Sequence, residues 1–184
     1  MRTILSVLPI MMLLAACAAK PDRYVVQPDV LPSTTQTTAL TVMIGKLTLP
    51  AYAKETSIFV QSERDALVAV PKSDWADDTE RAMILSLVRN ISDITGAAVA
   101  PDPWPLGGIP EAEVSVTVER MFVDKTSTMR LTGQFSIRRD RATSRNRIGQ
   151  FDINTRAVSK SASDIVAAHA DAWRQLAQII AEEL

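Results

Sequence analysis

Two runs of strict alternation followed by a closing stripe at helical spacing limit this chain to few architectures. Val114, Val116 and Val118 share one side of a strand against Glu113, Ser115, Thr117 and Glu119 on the other. Met129, Leu131, Phe135 and Ile137 alternate in the same way with Arg130, Thr132, Gln134 and Arg138. Side chains leave a strand on opposite faces with period two, so each segment offers one face to a core and one to water. A third segment carries Ile148 and then Phe151 and Ile153 in the opposite parity, with Gly149 between them as the expected bulge. The simplest arrangement is a three-strand antiparallel meander over 112–158. Ser161 with Asp164 then fits a capping-box start. Beyond it Ile165, Ala168, Ala172, Leu176, Ile179 and Ile180 recur at helical spacing, so a long helix over about 162–183 packs on the sheet.

The upstream half repeats the mixture. Leu40, Val42 and Ile44 alternate until Gly45, after which the parity switches to Leu47 and Leu49, predicting a strand kinked at the glycine. Residues 57–61 and 66–70 are short apolar runs joined by a polar tetrad, a hairpin whose second strand Pro71 is expected to close. Ile84, Leu87, Val88 and Ile91 then set a helical period over 78–94, with Asp77 and Glu80 as cap and capping-box partner and Gly96 as the stop. Residues 97–100 form a short apolar run, a further strand, followed by the proline-rich loop 101–105, which cannot be helix interior. The expected fold is an α/β (α+β) layered domain. It has a mixed, mostly antiparallel sheet of five to seven strands and two main helices covering one or both of its faces.

The first sixteen residues have a different character. Arg2 precedes an apolar stretch over 4–14, about eleven residues where a bilayer-spanning helix needs about twenty. This is the pattern of a secretory signal, and it ends in Leu14-Ala15-Ala16-Cys17, which resembles the lipobox of bacterial lipoproteins. The resemblance implies that residues 1–16 are removed and that Cys17, the only cysteine, becomes a lipidated N-terminus. Its three acyl chains would exceed the two needed for stable membrane attachment. Ala18, rather than Asp, at the second mature position points to the outer membrane. Residues 17–39 read as lipidated N-terminus and tether, reaching roughly 70 Å when extended, before a single domain over 40–184. Within that stretch Tyr24-Val25-Val26 is apolar and could instead dock as an edge strand.

The full chain carries a net charge of −1, and removal of Arg2 with the signal makes it −2, so no global charge draws it to nucleic acid. One histidine, His169, and one cysteine committed to lipid leave no recognisable triad, dyad or zinc set, and no catalytic residue, cofactor or metal is expected. Asp74, Asp77, Asp78 and Glu80 read as favourable charge at a helix N-terminus. Trp75 and Trp173 read as core anchors. Two features suit partner or lipid contact. Trp104 stands among prolines, and Arg138, Arg139, Arg141, Arg145 and Arg147 crowd a hairpin tip, where they either bind phosphates or an acidic surface or keep a sheet edge soluble.

The lipobox, Tyr24-Val25-Val26, the segment from Ile44 to Tyr52 and Trp75-Ala76 come in the order of one family. The chain resembles the ABC-type transport auxiliary lipoproteins, the PqiC-like outer-membrane lipoproteins that accompany MCE-domain lipid transport systems. Asp77-Asp78 replaces the Glu-Pro-Leu that follows the Trp-Ala pair in that family. The resemblance implies a mixed sheet with helices on both sides and a non-catalytic role. It also implies an anchor at the periplasmic leaflet of the outer membrane, an MCE-domain periplasmic partner in lipid or solvent transport, and a homo-oligomer. The other reading is a structural or regulatory envelope lipoprotein that binds a cell-wall synthase or secretion complex.

Overall fold

The computed structural model describes residues 20–26, 37, 39–140 and 145–184. Its strands are β1 (Asp22–Tyr24), β2 (Thr41–Thr48), β3 (Ser57–Gln61), β4 (Leu67–Trp75), β5 (Ala98–Pro101), β6 (Ala112–Val123), β7 (Thr128–Arg139) and β8 (Arg147–Arg156), and its helices are α1 (Thr79–Thr95) and α2 (Ala162–Glu182). The eight strands form one sheet, slightly more than the five to seven expected. The added strand is β1, which pairs in parallel with β4 and ends at Tyr24, the first residue of the Tyr24-Val25-Val26 patch.

The meander β6–β7–β8 is antiparallel, as its alternation predicts. The free edge of β6 is shared. Residues 112–117 pair in parallel with β2, which leads on to β5, and Val123 meets Val60 of β3, which leads on to β4 and β1. The sheet therefore forks along one long strand.

Two punctuation residues act differently from expectation. The register of β7 with β8 is unbroken from Thr128↔Arg156 to Ile137↔Arg147, so Gly149 makes no bulge. Ile148 simply faces solvent at 80% exposure while Phe151 and Ile153 face the core. The bulge lies in β6, where Glu119 is the extra residue between the pairs Val118↔Gly133 and Arg120↔Thr132. Pro71 does not end β4 either. It sits where the register against β3 slips between Phe59↔Ala69 and Ser57↔Asp74, next to Lys72 at φ 57°. At such an irregularity a residue without an N–H costs no ladder bond. The expected irregularity of β2 is present between Ile44 and Leu47.

Helix α1 is capped by Asp78 rather than Asp77. The Asp78 carboxylate accepts from the Arg81 N–H at 2.8 Å, while Asp77 accepts from the Asp78 N–H at 2.8 Å and pairs with the Arg81 guanidinium. Glu80 is thereby one position too early for a capping box and pairs with Lys54 at 3.1 Å. Gly96 ends the helix at φ 72°, the left-handed conformation that glycine adopts without steric cost. Ser161 caps α2 by accepting from the Asp164 N–H at 3.2 Å.

Both helices lie on one face. They pack on each other, α1 over β2 and β5 and α2 over β7 and β8. Met83, Leu87, Ile91, Ile165, Trp173 and Leu176 meet the inward residues of the sheet in one core. The other face of the meander carries Glu113, Arg130, Thr132, Arg138, Asp152 and Asn154, and neither α1 nor α2 covers it. The arrangement with helices on both sides is corrected to two layers, because one-sided alternation leaves only one apolar face to cover.

Candidate functional site

The loop after β5 carries Trp104 back toward the start of β6, across the wet face of the sheet. Met43, Trp104, Ile109, Glu113 and Arg138 line a groove there of ≈ 480 Å³. Met43 points to this side because its neighbours Val42 and Ile44 point into the core. Arg138 pairs with Glu113 across β6 and β7. Ile109, 69% exposed, extends the apolar part of the rim. Trp104 and the first arginines of the hairpin, two unconnected features of the sequence, thus face one groove.

The arginine cluster itself is divided. Arg138 is held by Glu113, and Arg147 pairs with Glu183 at 2.8 Å. The Arg139 guanidinium donates to the Glu183 carbonyl at 2.5 Å. Positive charge at the end of α2 meets carbonyls that have no helical partner, a favourable arrangement at a helix C-terminus. Arg145 is exposed. Arg141, like Leu14, Ala15, Ala16 and Cys17, lies outside the described residues.

His169 is 2% exposed on α2, edge-on to Trp75 with ring centroids 5.2 Å apart. Burial pushes its pKa down to about 4, so the imidazole is neutral at pH 7. Its Nδ1 has no hydrogen-bond partner among the described residues. Trp75 and Trp173 are buried in the core. Besides the capping pair Asp77 and Asp78, Asp74 accepts from the Ser57 hydroxyl at 3.2 Å, so each of the four acids near α1 has a structural partner. No group of three metal-ligating side chains occurs among the described residues.

Two features escape a reading by pattern alone. Asp124 organises the β6–β7 hairpin. Its Oδ1 accepts from the Thr126 N–H, the Thr126 hydroxyl and the Thr128 N–H at 2.8, 2.6 and 3.0 Å, and its Oδ2 accepts from Arg130 Nε at 2.8 Å. Burial opposes ionisation, but these four donors outweigh it and hold the carboxyl at about 2. Asp124 followed two residues later by Thr126 is a side-chain turn signal in the sequence. The second feature is a cleft of ≈ 220 Å³ between β1 and α1, lined by Tyr24, Val25, Trp75, Ala82, Leu85 and Arg89. Its sequence signal was the Tyr-Val-Val patch.

Residues 24–181, from the end of β1 to the last turn of α2, match the family of ABC-type transport auxiliary lipoprotein components. The chain belongs to this family. The family is one of auxiliary transport components rather than an enzyme class, and the protein is accordingly an envelope lipoprotein serving an ABC-type transport system. No curated protein matches the auxiliary component. Among solved structures it is similar to one described as an uncharacterized protein, at 16% identity and TM-score 0.72 over 89% of this chain and 98% of that one. It is also similar to protein XCC0632 from Xanthomonas campestris, of family DUF330, at 16% identity and TM-score 0.64 over 88% and 93% of the two chains. At this identity the likenesses establish the fold of the auxiliary component and leave its partners to chemistry.

Proposed function

We propose that the protein is the lipid-anchored docking subunit of an ABC/MCE-type lipid or solvent transport system and that its role is non-catalytic. Residues 1–16 are a removed signal, Cys17 carries the lipid, and the domain stands on the periplasmic leaflet of the outer membrane. There a homo-oligomer receives the MCE-domain periplasmic protein. The observation that carries this reading is the span of the family match, 24–181, which takes in α1, the whole meander and all but the last residue of α2. The groove of Trp104, Met43 and Ile109 beside the Arg138–Glu113 pair supports it as the contact surface, since an apolar anchor ringed by charge suits protein recognition.

Crosslinking in whole cells, followed by purification of the protein from detergent-solubilised membranes, tests the assignment. An MCE-domain protein is expected, and Trp104→Ala should lower its recovery without changing the protein's own level. Recovery of a cell-wall synthase or a secretion complex in its place would overturn the reading.

A further inference from the structure

The position of β1 alters how far the domain can stand from its anchor. Asp22, Arg23 and Tyr24 pair with Ser73, Asp74 and Trp75, and the Ala76 N–H donates to the Tyr24 carbonyl at 2.8 Å, so the chain joins the sheet from Asp22 onward. Four residues, 18–21, separate Cys17 from Asp22. Cys17 and Asp22 are thus five Cα steps apart, at most about 18 Å, roughly two to three times the depth of a headgroup layer. A lipid on Cys17 therefore holds the β1 edge close to the bilayer, in place of the ~70 Å reach of a free tether.

The surface at that edge suits such a position. Val25 and Leu85, 62% and 40% exposed, flank the apolar cleft between β1 and α1. Arg89 lines it, Lys20 and Arg23 are exposed in the chain just before its Tyr24 wall, and none of the three makes an ion pair among the described residues. The rim carboxylate Asp77 is already engaged by Arg81 and the Asp78 N–H, and the opposing charges are Asp22, Asp74, the register partner of Arg23, and Asp93, one helical turn from Arg89. Exposed apolar side chains ringed by uncommitted cations match the interface of a leaflet containing anionic phospholipid. The Trp104 groove, on the sheet face away from both helices, stays open in this orientation.

We propose that the β1–α1 edge is a membrane-contact surface, with Val25 and Leu85 seated among the phospholipids of the anchoring leaflet and Lys20, Arg23 and Arg89 turned to their phosphates. This rests on the lipidation of Cys17 proposed above.

Because Cys17 is the only cysteine and its thiol is consumed by the lipid, a second cysteine can be labelled uniquely. The lipidated protein is reconstituted in phosphatidylethanolamine:phosphatidylglycerol vesicles, with a nitroxide on Val25→Cys, Leu85→Cys, Ile109→Cys or Val158→Cys in turn. Power saturation with oxygen and with a water-soluble nickel chelate is expected to give oxygen-to-nickel accessibility ratios several-fold higher at 25 and 85 than at 109 and 158. Joint Arg23→Glu and Arg89→Glu substitution should bring the ratio at 85 down toward that at 158. Equal ratios at all four positions, with acylation of Cys17 verified by mass spectrometry of the N-terminal peptide, overturn the contact surface and leave the anchor standing. An unmodified Cys17 overturns both.

Discussion

The ring of Phe135 fills the place that a side chain on Gly149 would need. The two residues are partners across β7 and β8, and a Cβ on Gly149 would come within 2.4 Å of Phe135 Cζ. Two residues along the ladder the relation is reversed, with Phe151 opposite Gly133 and its Cζ 2.9 Å from where a Cβ would stand. Each ring covers the neighbouring strand's glycine, and the reciprocal pairs pin the register of the meander under α2. Gly149→Ala is expected to cost about 1–3 kcal/mol, because the rigid ring must leave its rotamer or the strands must part. Gly107→Ala, where a Cβ meets nothing within 4 Å, should stay within about 0.5 kcal/mol of wild type. Urea denaturation of the two variants tests this, and equal midpoints would refute the packing account.

Asp124→Ala should destabilise the protein by about 1.5–3 kcal/mol, since it strands the Thr126 and Thr128 N–H groups and the Arg130 guanidinium together. The folded carboxyl ionises at about 2, below its ordinary value of 3.8. Its contribution is therefore complete above about pH 4 and is lost as pH falls toward 2. Acid unfolding followed by circular dichroism should show a shallower limb between these values for Asp124→Asn than for wild type.

His169 acts in the adjoining, less acidic window. Burial lowers its pKa to about 4 from 6.5, so the unfolded chain binds a proton that the folded chain refuses between those values. Stability contributed by the neutral imidazole is intact above about pH 6.5 and declines as pH falls to 4, by at most ~1.4 kcal/mol per pH unit. His169→Phe, which keeps a ring against Trp75, should flatten the dependence of the melting temperature over this window. An unchanged slope would place the titration elsewhere.

Cys17→Ala should leave a folded domain in the soluble periplasmic fraction that no longer supports envelope transport. Fractionation with a growth assay under solvent or detergent stress measures both, and full function from this variant would refute the tethering account.

The elements most legible in the sequence are those whose patterns close locally. The alternation of 112–137, the helical stripe after Ser161 and the Gly96 stop each name a structure within a few turns of chain, and each is observed. The misread positions involve partners far away. Gly149 looks like a bulge until Phe135 is set opposite it, and Pro71 looks like a terminator until the slipped register with β3 absorbs it. The bulge at Glu119 was visible as a parity change from Val118 to Met121, but only pairing with β7 shows that the strand continues through it. The meeting of Trp104 with Arg138 was not legible, because a groove formed by two segments more than thirty residues apart leaves no periodic trace in either.

By itself the sequence determined the element types, the apolar face of each element and the lipobox-like segment, since backbone periodicity and caps act over short spans of chain. Tertiary structure alone decided that both helices share one face, that β6 divides its free edge between two arms, and that residues 22–24 complete the sheet. Strand order and helix placement minimise exposed apolar area over the whole chain at once, and no local window contains that sum.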